Sequence, residues 1–174
     1  MALTNNPLVT KSNLKYGAIP FNKIKLEHFM PALEYSMNEA EKNLEKIINN
    51  TEPASFENTI LELEKGAELM QNVAHIYFNL MGAESNNKFK ELAQQISPKF
   101  SEFGNKVLLN PKLFKRIQFL HDQVKNNIYE NEEKRIIEEN YKDFINNGAL
   151  LNDNDKDKIK EIDSELSKLQ PQFS

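Results

Sequence analysis

Apolar residues recur at steps of three and four along most of the chain, and six such stretches predict six helices. The first runs from about Glu27 to Asn50, with Phe29, Met30, Leu33, Met37, Ala40, Leu44, Ile47 and Ile48 on one face. Pro31 sits in its first turn, where a missing amide costs little. NNTEPAS breaks the pattern, and the second helix opens at SFENTILELEKGAELM. Ser55 is its expected N-cap, Glu57 and Glu62 complement the positive end of the helix, and the pattern continues to about Met81. Phe56, Ile60, Leu63, Met70, Val73, Tyr77 and Leu80 are its inward face. The third spans about Asn87 to Leu109, carrying Phe89, Leu92, Ile96, Phe100, Phe103 and Val107, with a kink expected at Pro98. Asn110-Pro111 is an N-cap followed by proline at the first helical position, and it starts the fourth. Leu113, Phe114, Ile117, Leu120 and Val124 form its face. Ile136, Ile137, Tyr141, Phe144 and Ile145 mark the fifth, which Gly148 stops as a left-handed C-terminal residue. The sixth begins near Asp153 or Asp155 and carries Ile159, Ile162, Leu166 and Leu169.

No stretch alternates with period two beyond a few residues, so the fold class is all-α. A helix of about 25 residues is near 37 Å long, a length that suits antiparallel neighbours and helical hairpins. Residues 1–25 read as an irregular segment punctuated by Pro7, Gly17 and Pro20. Its Leu8, Tyr16, Ile19 and Phe21 predict that it lies on the helical domain of residues 26–174. The apolar spacing carries on through Leu166, Leu169 and Phe173 with no closing cap, the pattern of a chain cut from something longer.

Composition narrows the classes. At 174 residues, 39% hydrophobic and 28% charged, the chain can build one core. It has no cysteine, which excludes disulfides, thiolate catalysis and Cys-ligated zinc within it. A net charge of -4 with both signs interspersed leaves no basic stripe, so nucleic acid is not an expected partner. The first residues lack the apolar core of a signal peptide, and no run approaches the ~18 apolar residues of a bilayer span. The expected compartment is the cytoplasm, with the periplasm left open.

Candidate chemistry is sparse. His28, His75 and His121 lie many helical turns apart, so none forms the two-histidine, one-turn spacing of a zinc motif. His75 is expected near a helix interface, with His28 and His121 at the surface. Asp153, Asp155 and Asp157 alternate like a calcium loop, but the sixth position is Lys158 rather than glycine and the twelfth is Ser164 rather than glutamate. Capping of the sixth helix is the better account. Glu132-Glu133 and Glu138-Glu139 sit on charged stretches and read as a solvated face. No serine lies in a nucleophile elbow and no glycine-rich phosphate loop exists. No catalytic, cofactor-binding or metal-binding residue is therefore assigned in this chain.

Several stretches carry a resemblance. NPL at residues 6–8, IPFNKIKLEHFMPALE at 19–34, PASFENTILELEKGAELMQNV at 53–73, NPKLFKRI at 110–117, YKDFINNGALL at 141–151 and KIKEIDSELSKLQPQFS at 158–174 fall in one order. Together they resemble the amino-terminal region of the M3 family of zinc metallopeptidases. The FENTI-x-x-LE-x-G run points to the bacterial peptidyl-dipeptidases, relatives of oligopeptidase A and thimet oligopeptidase. Gln170-Pro171 departs from the usual small polar residues there and is expected to bend the last helix. The resemblance implies an almost wholly helical fold around a deep channel, with these helices as part of the wall. It implies an intact enzyme that removes dipeptides from the carboxyl end of oligopeptide substrates, with zinc bound far downstream. This chain would then be an inactive, non-catalytic portion without a metal site, whose partner is the missing catalytic domain. Apolar surface around the sixth helix would be covered by that domain or by self-association. The alternative is a stand-alone helical interaction module.

Overall fold

The computed structural model describes residues 3–84, 86–126 and 128–172. Among them there are six helices of four turns or so and longer, and no strand. They are α1 (Phe29–Ile48), α2 (Glu62–Glu84), α3 (Asn87–Leu108), α4 (Pro111–Gln123), α5 (Asn131–Asn146) and α6 (Asp153–Leu169). None of them is long and apolar enough to cross a membrane.

Local chemistry sets the boundaries. Asn86 caps α3 by accepting from the amides of Lys88 and Phe89, and Asn110 caps α4 from Lys112 and Leu113. α3 runs unbroken through Pro98. α5 ends as predicted at Gly148, whose φ is +92°. The Gly148 amide donates to Ile145 O and the Ala149 amide to Phe144 O, closing two orphan carbonyls at once. α6 starts at Asp153, but its cap is Asn152, whose side chain accepts from the Asp155 amide. Two boundaries differ in kind from the periodic reading. A tight turn, Leu26–His28, precedes α1, and a single wide π-turn, Phe56–Leu61, leads directly into α2.

Cross-helix contacts give the topology. α1 and α2 are antiparallel: Phe29 meets Tyr77 edge-on at 5.1 Å, and Asn43 Nδ2 donates to Glu62 O near the other end. α3 runs parallel to α1, tied at two successive levels by Lys99–Glu34 and Lys106–Glu41. α4 and α5 form a second hairpin in which Phe114 stacks on both Tyr141 and Phe144. Two apolar clusters follow from this layout. One joins the first half of α1 to α2 and α3 around Phe29, Leu33, Val73, Tyr77, Ala93 and Ile96. The other joins the end of α1 to α4 and α5 around Leu44, Ile60, Leu113, Ile117, Leu120 and Phe144, and Val107 touches both.

The amino-terminal segment is held at one point. Asn6 is buried, its Nδ2 donates to His28 O, and its Oδ1 accepts from the Leu8 amide. Leu8 enters the first cluster. Tyr16, Ile19 and Phe21, expected to lie against the domain, are exposed instead. Tyr16 has a positive φ of 61°, in a turn that carries its ring outward. Phe173 lies outside the described residues.

Candidate functional site

A dense polar constellation lies where the FENTI run meets α4. Ser55 Oγ accepts from the Asn58 amide at 3.1 Å, and Asn58 Oδ1 accepts from the Ser55 amide at 2.9 Å. This is a reciprocal cap with asparagine in place of the usual acid. The exposed Glu57 carboxylate is held below the usual range by its own backbone amide and the Ser55 hydroxyl. Asn58 Nδ2 reaches back to Pro53 O at 2.9 Å, pinning the loop that enters the helix.

Arg116 closes the arrangement from α4. Its Nε donates to Thr59 Oγ1 at 3.1 Å, one Nη to Asn50 O and Glu52 O, and the other to Asn58 Oδ1 at 2.7 Å. Thr59 is wholly buried. Burial pushes the guanidinium pKa down, an effect that nearby Glu52 opposes. Four of the five guanidinium N–H groups are thus spent on neutral oxygens. The arrangement holds no nucleophile and no acid–base pair. What it can do is fix the angle between the α1–α2 loop and α4.

A second close approach involves the glycine of the same run. A Cβ on Gly66 would collide with the Asn43 side chain of α1, which sits there to bond Glu62 O. The FENTI-x-x-LE-x-G pattern therefore reads as a structural signature, with Asn58 and Thr59 for the α4 contact and Gly66 for the α1 contact. The FENTI and NPKLFKRI stretches, far apart in sequence, touch here through Asn58, Thr59 and Arg116. The side chains involved are separated by 57 and 58 positions, and nothing local signals the pairing.

The three histidines are not brought together, and their expected environments are reversed. His75 is exposed, because Val73 and Tyr77 take the inward face and the position midway between them points away. His28 is half-buried, its Nδ1 accepting from the Lys25 amide at 3.1 Å. His121 is also half-buried, stacked on the Tyr141 ring at 3.9 Å. The aspartates at the start of α6 pair with lysines of their own helix, Asp155 with Lys158 and Asp157 with Lys160. Glu133 accepts from the Glu130 amide, and Glu139 pairs with Lys142. Among the described residues no three His, Asp or Glu side chains converge on a point that a metal ion could occupy. A recess of about 520 Å³ lies between the amino-terminal segment and α2, lined by Pro7, Phe21, Leu69, His75, Ile76 and Asn79.

Comparison with known proteins matches residues 33–156 to the family model of the neurolysin/thimet oligopeptidase N-terminal domain. The chain belongs to this family. Its relatives are M3 peptidases. They include dipeptidyl carboxypeptidase of Escherichia coli (strain K12), 31% identical over 98% of this chain and 25% of that protein. Dipeptidyl carboxypeptidase of Salmonella typhimurium (strain LT2) is 28% identical over 99% of this chain and 25% of its own length. Oligopeptidase A of Escherichia coli is 25% identical over 97% of the chain and 24% of that protein. The chain thus spans about a quarter of the length of these relatives.

Proposed function

We propose that this chain is the amino-terminal helical portion of a zinc peptidase that releases dipeptides from the carboxyl end of oligopeptides. In this reading its helices form part of the wall of the substrate channel and take no part in bond cleavage. One observation carries the proposal: nearly the whole chain matches one quarter of dipeptidyl carboxypeptidase, through a domain family defined as amino-terminal. The higher identity to dipeptidyl carboxypeptidase than to oligopeptidase A favours dipeptide release.

The family resemblance implies zinc, and the described residues of this chain do not fit it, since no donor set converges. No chemical step is therefore assigned to them. The metal ligands and the general base are proposed to lie in the three quarters of the relatives that have no counterpart here. What these residues supply is rigidity: the Arg116 knot and the Asn43–Gly66 contact hold α1, α2 and α4 at fixed angles. A channel that admits peptides by width needs such a wall.

The test compares two proteins on a blocked tripeptide, with and without chelator. The product of the gene read past codon 174 should release the carboxyl-terminal dipeptide and lose that activity to chelator, while the 174-residue chain should not cleave. Chelator-sensitive cleavage by the 174-residue chain itself would defeat the proposal. A stop after Ser174 would favour the stand-alone interaction module.

A further inference from the structure

α6 is amphipathic, yet it is docked with the wrong side in. Ile162, Leu166 and Leu169 recur at steps of four and three and share one face. They are 56%, 47% and 46% exposed. Ser167 is buried in their stead, with Asp163 and Ser164 half-buried beside it, and this polar side of α6 packs on α3. Among the described residues neither apolar cluster includes any part of α6.

The α3–α6 junction is also loosely filled. A recess of about 480 Å³ separates Pro98, Ser101 and Asn105 from Lys160 and Ser164. A second, of about 410 Å³, lies between Phe78, Phe100 and Ser101 on one side and Asp163, Leu166 and Ser167 on the other. Phe78, which pairs with Phe100 at 6.3 Å, is itself 41% exposed. A helix stabilised by packing buries its apolar stripe, and in water α6 leaves that stripe open. Among the described residues the other five helices, α1 to α5, all sink theirs into a cluster.

We infer that the Ile162–Leu166–Leu169 face of α6 is an interface for further polypeptide of the same chain, the part equivalent to the three quarters of the relatives' length that this sequence does not cover. This rests on the proposed function. Length argues for that occupant: the relatives match this chain from end to end and carry about three times as much again.

Hydrogen exchange of the α6 amides, measured in the 174-residue chain and in the longer gene product, tests this. Exchange over residues 159–169 should slow by about tenfold or more in the longer product, while α4 changes by less than about twofold. Leu166→Ser with Leu169→Ser in the longer product should return α6 to the rate seen in the short chain. Equal α6 exchange in both proteins, or protection untouched by the two substitutions, overturns the inference and leaves the peptidase reading standing. Concentration-dependent protection in the short chain alone, lost on the same substitutions, also overturns it, by making a second copy the occupant. A frame past codon 174 that encodes no peptidase removes the proposed function, and the occupant with it.

Discussion

Arg116 Nη2 donates to Asn58 Oδ1 at 2.7 Å, and that one oxygen also accepts from the Ser55 amide and the Thr59 hydroxyl. The FENTI cap and the α4 contact are therefore a single network. Asn58→Ala removes the reciprocal half of the Ser55 cap, worth about 1 kcal/mol. It also strips the half-buried guanidinium of a half-buried partner, which costs about 1–3 kcal/mol more. A total loss of about 2–4 kcal/mol is expected in urea unfolding. Arg116→Lys keeps the charge but cannot span three acceptor directions, and should cost about 1–2 kcal/mol. The double variant should lose less than the sum of the two, and strict additivity in that cycle would refute a shared network.

Gly66→Ala sets two effects of known size against each other. Helix propensity favours alanine by about 1 kcal/mol. Against it, the new Cβ would meet the Asn43 side chain and unseat its bond to Glu62 O. Overpacking of this kind costs about 1–3 kcal/mol. The clash should win, so the single variant is destabilised. In an Asn43→Ala background the obstruction is gone, and the same Gly66→Ala change should stabilise by about 0.5–1 kcal/mol. Thermal or urea unfolding of the four proteins reads the reversal of sign; no reversal means that the glycine is not there for Asn43.

Features set by neighbours in sequence were legible. The Asn110-Pro111 start, the Gly148 stop and the inward stripes of α1 to α5 follow from caps and periodicity, which act within a few residues. Features set by distant partners were not. Over the six residues Phe56–Leu61 a π-turn and an α-turn give nearly the same apolar spacing. The half-buried setting of His121 depends on Tyr141, twenty positions on and on another helix. Periodicity also identifies the apolar stripe of α6 but not the side on which its neighbours lie. The candidate site was the least legible part, because Asn58 and Thr59 read as ordinary helix-start residues until Arg116 arrives from α4.

Asn6 anchors everything before α1. Its amide donates to His28 O at 2.8 Å, its Oδ1 takes the Leu8 amide, and its own carbonyl accepts from Thr10 Oγ1. Asn6→Ala leaves the Leu8 amide unpaired in a buried setting and takes one of two donors from the His28 carbonyl, which as the N-cap of α1 also accepts a helical amide, at about 1–3 kcal/mol. Residues 3–24 make few other buried contacts, so the loss should be local. Limited proteolysis should cut the variant faster between Lys11 and Lys25 while the α1–α5 core resists. Unchanged cleavage there would mean that the segment is held by other contacts.

Tyr77 joins three helices, edge-on to Phe29 of α1 and 5.9 Å from Phe89 of α3. The ring is wholly buried, and its hydroxyl donates to Phe89 O at 2.5 Å. A phenolate there would be desolvated and would face a carbonyl oxygen, so burial pushes the pKa up to about 12. In the unfolded chain it is about 10. The native state therefore keeps its proton where the unfolded state has lost it. The contribution to stability is complete below about pH 10 and drains away as pH rises toward about 12, by roughly 2 kcal/mol. Tyr77→Phe should cost about 1 kcal/mol at neutral pH, from the lost hydrogen bond. Above pH 10 the variant is spared this slope, so the gap between the two proteins should narrow and then invert. Urea unfolding of both across the alkaline range measures it, and groups common to the two proteins cancel in the difference. Parallel curves would show that Tyr77 ionises as readily in the native state as in the unfolded one, and that its hydroxyl is not sealed against the α3 carbonyl.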